Sequence, residues 1–181
     1  GKYVETIVTK LMRPPHFPVR YSDLTATVTY REGCPETFSI GSITITPIRL
    51  SHPNGGCGYK FRENGKTFVF LTDNELGYLH PGGCAFDEYA AFCEGADLLL
   101  HDAEFLPQEY PERIEWGHSS YLDTLRLACD AGVGCLGLFH LNQDRTDEGV
   151  DEMVANARRI IAEKKIEMDC FAVGRDMVFE F

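Results

Sequence analysis

Four short, strongly apolar segments of this chain are each followed within two residues by histidine or aspartate. Buried strand ends need polar partners, and α/β proteins assemble their sites where several strands end at one edge of a sheet. The pattern therefore predicts that these polar strand ends converge at one edge of a sheet, and this constrains the fold more than any other feature. The residues at these ends are His52, Asp73, His101 with Asp102, and His140.

The first half of the chain predicts antiparallel strands. Residues 24–30, 37–40 and 42–50 alternate in polarity and are rich in threonine, isoleucine and valine. The dipeptide Asn64-Gly65 separates two apolar runs, and this is the strongest short-range signal for a β-hairpin because both residues tolerate a positive φ. A hairpin is therefore expected around residues 58–71.

The second half predicts helices that alternate with strands. Apolar residues at helical spacing predict helices over residues 86–93, 119–131 and 147–164, after a first short helix over residues 3–12. Apolar runs predict strands over residues 97–101, 135–141, 170–173 and 177–181. No repeat or linker interrupts this α/β pattern, so we expect residues 1–181 to form a single unit.

Charge and composition limit the partners. The chain has 17 Lys and Arg against 28 Asp and Glu, a net charge of −11, which opposes binding to a polyphosphate and makes nucleic acid an unlikely partner. No apolar run approaches the roughly 20 residues that span a bilayer, so we expect no membrane insertion. Seven scattered cysteines without a C-x-x-C pair suggest neither a disulfide framework nor a zinc ribbon, and they fit a reducing cytoplasm.

The residue types at the four strand ends suit a metal site. Imidazoles together with a carboxylate favour zinc, manganese or iron(II) over calcium. A carboxylate such as Asp73 has two oxygens and could bridge two ions about 3.5–4 Å apart, so a dinuclear hydrolase is the hypothesis. Taken singly, each residue could instead be a hydrogen-bonded polar group at a strand end. His16 and His80 lie in loops without such neighbours and are expected to be surface histidines.

Several short motifs follow one another in a fixed order along the chain. They include Leu50-Ser51-His52-Pro53, Phe70-Leu71-Thr72-Asp73, Leu100-His101-Asp102-Ala103-Glu104, Gly117-His118-Ser119-Ser120 and Leu138-Phe139-His140. In this order they resemble the metallo-β-lactamase superfamily, in particular its phosphodiesterase branch, which includes ribonuclease Z. The resemblance covers nearly the whole chain and implies an αββα sandwich that hydrolyses phosphodiesters.

The resemblance also implies a role for individual residues. His52 resembles a ligand of the first metal, Asp73 the bridging carboxylate and His140 a ligand of the second metal. Two divalent ions are therefore implied, with zinc favoured and manganese or iron as alternatives. His118 resembles the histidine that meets the scissile phosphate and protonates the leaving oxygen, and Asp102 would orient it and raise its pKa. The alternative for His118 is an ordinary residue at a helix N-terminus.

Departures from the family pattern set further expectations. The signature His-x-His-x-Asp-His occurs nowhere in the 181 residues. The resemblance thus implies the C-terminal portion of the sandwich, inactive alone, with the missing N-terminal half or a second copy of the chain as partner. The basic arm of ribonuclease Z has no counterpart here, so a small, cyclic nucleotide-like phosphodiester is the favoured substrate. The alternatives are a non-catalytic binding or oligomerisation module of this fold and ribonuclease Z-type RNA processing.

Overall fold

A computed structural model describes residues 2–30, 34 and 36–180, with side chains from Val4 onward. The chain divides into two compact units, Gly1–Pro35 and Glu36–Phe181. The expectation that residues 1–181 form a single unit of a larger domain stays a prediction.

The first unit contains helix α1, Lys2–Leu11, which confirms the helix predicted over residues 3–12. The prolines Pro14 and Pro15 follow soon after its end, as expected of residues that cannot continue a helix. The strand predicted over residues 24–30 is wrong, because the structure gives these residues no strand. A sequence rich in β-branched residues becomes a strand only where a neighbour pairs with its backbone, and no described strand pairs with this segment.

The second unit is built on one sheet of seven strands that neighbour one another in chain order. Strands β1 to β4 form an antiparallel meander, and β5 to β7 continue it in parallel with β4. The turn between β3 and β4 has positive φ at both Asn64 (+49°) and Gly65 (+79°), which confirms the predicted hairpin. The strands are β1 Phe38–Ile40, β2 Ile43–Arg49, β3 Cys57–Glu63, β4 Lys66–Leu71, β5 Leu98–Asp102, β6 Cys135–Phe139 and β7 Asp169–Ala172.

Three helices separate the parallel strands, as the sequence predicts. They are α2 Phe86–Cys93, α3 Tyr121–Asp130 and α4 Asp147–Glu163. Their buried side chains share one core with Val69, Leu99 and Leu136 of the sheet, so all three helices cover the same face. The strand predicted over residues 177–181 is wrong for residues 177–180, and residue 181 lies outside the described residues. A turn with positive φ (+62°) at Asp176 interrupts the extended backbone there.

The predicted α/β class is confirmed, and the described residues contain one sheet of the predicted sandwich. The face of the sheet opposite the helices carries neighbouring aromatic rings. Phe61 stacks on Phe68 with ring centroids 5.4 Å apart, and Phe70 meets Phe139 edge to face at 5.3 Å. None of the described helices is long and apolar enough to cross a membrane.

Five strands of this sheet end at the same edge. Strands β2 and β4 are both antiparallel to β3, and β5, β6 and β7 are parallel to β4, so these five strands run in one direction. Their carboxyl ends therefore lie side by side, and the residues after them share one edge. This topology brings His52, Asp73, Asp102 and His140 to that edge.

Candidate active site

Asp73 and His140 leave the sheet with unusual backbone angles. Their φ values are +56° and +50°, a left-handed conformation that costs energy for residues with a Cβ. Asp73 lies two residues after the core residue Leu71, and His140 lies two residues after the core residue Leu138. If side chains kept alternating between the two faces of the sheet, both residues would point to the helix-covered face. The left-handed turn breaks that alternation.

His101 and Asp102, although adjacent, point to opposite faces of the sheet. His101 pairs in register with Leu71, is fully buried, and contacts Asn74 and Thr124 on the helix side through bonds of 3.1 Å. Burial lowers its pKa. His101 therefore belongs to the core, and of the two polar residues at this strand end only Asp102 joins the cluster. The period of two along a strand is the physical reason.

Asp102 accepts four hydrogen bonds although its side chain is completely buried. Its Oδ2 accepts from His118 Nδ1 at 2.6 Å and from the backbone N–H of Asp73 at 3.2 Å. Its Oδ1 accepts from the backbone N–H groups of Ser119 at 3.1 Å and Glu104 at 3.3 Å. A buried carboxylate requires such compensation, and this one ties the loops after β4, after β5 and before α3 together.

The bond to Asp102 also changes the protonation of His118. Burial lowers the pKa of His118, but the hydrogen bond and the charge of Asp102 outweigh burial and raise that pKa above its ordinary value of 6.5. The imidazole ring is only 15% exposed. His118 is thus an oriented imidazole that holds its second proton more strongly than a free histidine does.

Three histidine rings and two carboxylates meet around His118. Its ring stacks on that of His140 with centroids 4.5 Å apart and lies edge to face with His52 at 5.7 Å. His140 Nε2 lies 3.5 Å from Asp73 Oδ1. The structure therefore brings together all five residues that the sequence assigned to the site, while their individual roles stay predictions.

Glu104 also belongs to this cluster, although the sequence motifs predict no role for it. Its Oε2 lies 3.5 Å from Nδ1 of both His118 and His140. The signal that could have identified it is its place two residues after Asp102, directly beyond the end of β5. It gives the cluster a third carboxylate.

The donor atoms of the cluster fit a divalent metal. Two overlapping groups, His52 with Asp73 and His118, and Asp102 with His118 and His140, each offer ligand atoms within 4.8 Å of one another. The Nδ1 atom of His140 is buried and makes no hydrogen bond to any residue that the structure describes, as expected of a nitrogen that can bind a metal ion. Imidazole and carboxylate donors suit zinc, manganese or iron(II).

Gly117 makes room for His52. A Cβ atom at Gly117 would lie 2.3 Å from Cδ2 and 2.8 Å from Nε2 of the His52 ring, and the φ of Gly117 is +95°. Burial and the neighbouring His118 lower the pKa of His52, which favours the neutral imidazole that binds metals.

A cleft of about 450 Å³ opens beside the histidine cluster. It is lined by Glu104, His118, His140, Leu141, Asn142 and Gln143.

His16 is exposed, as expected, but the prediction of a surface position for His80 is wrong. The His80 side chain is 5% exposed, and its Nε2 lies 2.7 Å from Oε2 of Glu75. The loop after β4 folds back over Ser51, whose Oγ accepts a hydrogen bond from the backbone N–H of His80 at 2.9 Å. Sequence reasoning missed this because the partner carboxylate lies five residues away in an irregular loop.

Comparison with known proteins adds to this geometry. A family model described as a beta-lactamase superfamily domain matches residues 5–141. A ribonuclease Z from Bradyrhizobium sp. (strain ORS 278) is 30% identical over 141 residues, which make up 78% of this chain and 40% of that protein. The chain thus spans less than half the length of that relative.

Solved structures share the fold. The metallo-beta-lactamase fold protein YhfI from Bacillus subtilis aligns with a TM-score of 0.63 and 20% identity over 93% of this chain and 58% of its own. A diphosphatase from the PhnP family aligns with a TM-score of 0.54 and 17% identity over 81% of this chain and 46% of its own. With a superfamily model that matches most of its length and a sheet shared with these solved structures, the chain belongs to the beta-lactamase superfamily and has the metallo-β-lactamase fold.

Proposed function

We propose that this chain carries the acid-base half of the active site of a metal-dependent phosphodiester hydrolase. The observation that carries the proposal is the Asp102–His118 pair, whose imidazole stacks on His140 at 4.5 Å and faces His52. A histidine whose pKa a carboxylate raises, placed beside a cluster of side chains that can bind metal, matches what phosphodiester cleavage requires.

In this proposal His118 is the general acid. Its Nδ1–H donates to Asp102, so Nε2 is the nitrogen that can carry a proton to the departing oxygen. Asp102 fixes the ring and stabilises its charged form before cleavage. The attraction between the two groups becomes weaker once the proton has left His118. Two divalent ions, zinc in the first place and manganese or iron(II) alternatively, would polarise the phosphoryl group and activate water when bound.

His52, Asp73 and His140 would hold these ions, with Asp73 between them. Each ion would then have two ligands from these three residues, one of them shared, whereas hydrolytic zinc sites normally use at least three protein ligands. We propose that residues outside these 181 supply the others, from an N-terminal half of the domain or from a second copy of the chain. The competing arrangement uses His118 as the third ligand, and it would leave the site without a general acid.

The substrate class follows from charge. The net charge of −11 and the carboxylate of Glu104, 3.5 Å from both His118 and His140, disfavour a polyanion near the cleft. A small phosphodiester carries a single negative charge and is the favoured substrate. RNA is the second candidate, because the relative with 30% identity is a ribonuclease Z. A non-catalytic module of the same fold is the third.

Hydrolysis assays of the full-length protein, loaded with zinc, manganese or iron(II), test this proposal. The substrates are bis(p-nitrophenyl) phosphate, a cyclic nucleotide, p-nitrophenyl phosphate and a precursor transfer RNA. We expect metal-dependent cleavage of the two small diesters and little cleavage of the monoester. Preference for the transfer RNA would favour the second candidate, and metal binding without any hydrolysis would favour the non-catalytic module.

A further inference from the structure

Glu75 is a buried carboxylate beside the candidate active site, and the proposed reaction does not use this carboxylate. Its side chain is fully buried, and each of its two carboxylate oxygens accepts two hydrogen bonds. Oε2 accepts from His80 Nε2 at 2.7 Å and from the backbone N–H of Gly117 at 2.8 Å. Oε1 accepts from the hydroxyl of Tyr110 at 2.7 Å and from the backbone N–H of Glu115 at 2.9 Å.

These four donors come from three separate parts of the chain. His80 lies in the same loop as Glu75, Tyr110 begins a short 3-10 turn at Tyr110–Glu112, and the two backbone donors flank Trp116. Burying a carboxylate is costly unless its acceptor sites are filled, and here all four donors are in place. The arrangement therefore fixes the backbone of residues 115–117 to the loop after β4.

That backbone leads directly to His118. Asp102 holds the other side of the same loop, through the His118 ring and the backbone N–H of Ser119. The backbone N–H of Glu75 also donates to the carbonyl of Ser51 at 2.8 Å, next to His52. Glu75 is thus connected to the segments that carry two of the three site histidines.

We propose that Glu75 is a positioning residue that holds loop 115–117, and through it the ring of His118, against His52 and His140. The consequence for catalysis rests on the proposed function, whereas the fixing of the loop does not. In Glu75→Gln, an NH₂ group replaces one of the two carboxylate oxygens. This NH₂ group would face the two hydrogen-bond donors that the oxygen accepted from. Glu75→Gln must therefore release at least one of the bonds to loop 115–117 or to its neighbours.

Trp116 provides a direct probe of this loop, because it lies between the two backbone donors and is the single tryptophan of the 181 residues. We would label the full-length protein with 5-fluorotryptophan and assign the Trp116 signal by its loss in Trp116→Phe. In Glu75→Gln we expect the ¹⁹F signal of Trp116 to move toward that of the free amino acid and to narrow, since the loop moves faster. Glu112→Gln, which removes an exposed carboxylate nearby, should leave the signal unchanged.

Tyr110→Phe keeps the test valid if Glu75→Gln does not fold. It removes one donor to Glu75 and retains the ring, so we expect a smaller shift of the same signal.

In a protein that hydrolyses phosphodiesters, Glu75→Gln should lower kcat by up to about 100-fold with little change in KM, as expected of a misplaced catalytic group.

The outcomes separate this proposal from the proposed function. If the wild-type protein hydrolyses nothing, the proposed function fails, but the ¹⁹F signals still report on Glu75. An unchanged Trp116 signal in both Glu75→Gln and Tyr110→Phe overturns the positioning proposal even in an active enzyme. A lower melting temperature with an unchanged Trp116 signal and unchanged kcat would indicate a purely structural carboxylate and would overturn it as well.

Discussion

Asp102 Oδ2 and His118 Nδ1 lie 2.6 Å apart although 16 residues separate them in the chain. Asp102 is the last residue of a fully buried strand, so its position is fixed by the sheet. His118 lies in a loop just before the N-cap of α3, so hydrogen bonds and not a strand fix its position. A residue of the sheet therefore orients the ring of a loop residue, and this relationship underlies the predictions for the site.

Removal of His118 should separate catalysis from metal binding. In the full-length protein, His118→Ala should leave the metal content near that of the wild type and lower kcat by roughly 10²–10⁴-fold, the range typical of losing a general acid. Elemental analysis and steady-state kinetics measure the two effects. Loss of bound metal in this variant would show that His118 is a ligand instead.

The leaving group offers a further test of the same role. A p-nitrophenolate departs without much help from an acid, whereas an alkoxide does not. The loss of kcat in His118→Ala should therefore be larger for a nucleotide diester than for bis(p-nitrophenyl) phosphate. Equal losses for both substrates would argue against proton transfer by His118.

Asp73 should matter more for metal binding than either histidine ligand. If its carboxylate bridges two ions, Asp73→Ala weakens both sites, whereas His52→Ala and His140→Ala each weaken one. The measurement is the metal stoichiometry of the three purified variants after equilibration with the same zinc concentration. Equal stoichiometries would rule out a bridging position for Asp73.

A side chain at position 117 should displace the His52 ring, and this effect should come in addition to the strain in the backbone. In Gly117→Ala the new Cβ would collide with the His52 ring at 2.3 Å, so we expect weaker zinc binding. Gly82→Ala is the matched control, because Gly82 has a similar φ (+83°, against +95° at Gly117) and nothing within 4 Å of the added Cβ. Both variants carry a strain of about 1–2 kcal/mol, and only Gly117→Ala should lose metal affinity.

The Asp102–His118 pair should stabilise the protein most at low pH. The folded-state pKa of His118 lies above 6.5, so protonation favours the folded state. This stabilisation is fully present below pH 6.5 and is lost as the pH rises through the folded-state pKa. Hence the melting temperature of the wild type should exceed that of His118→Gln most under acidic conditions, and the difference should shrink as the pH increases.

Differential measurements are needed for this pH dependence. Burial lowers the pKa of His101 and of His52, and these two groups favour the folded state at high pH instead. The contribution of His101 is common to the wild type and His118→Gln and largely cancels in the difference. That of His52 depends on His118, whose charge is one cause of the lowered pKa, so both proteins are compared in a His52→Gln background. The melts are run with a chelator, and His16→Gln provides a control at an exposed histidine. A difference that grows with pH would contradict the assignment of His118.

Parts of this protein could be predicted from sequence because they depend on local patterns. The Asn64-Gly65 hairpin and helices α2, α3 and α4 follow from turn chemistry and helical spacing, and the structure has them. The segments 24–30 and 177–180 have strand-like composition but no strand. Pairing with a neighbour decides whether such segments become strands, and composition does not encode it.

The candidate site divides in the same way. The sequence by itself determined which polar residues stand at the ends of apolar strands and, through the motif order, that His52, Asp73, Asp102, His118 and His140 belong together. Only the tertiary structure decided that His101 turns into the core and that Glu104 joins the cluster. It also decided that Glu75 accepts hydrogen bonds from the loop before His118 and that His80 is buried against Glu75. The physical reason is that side-chain direction and long-range hydrogen bonds depend on strand register and on how loops fold back, and residue order alone does not specify either.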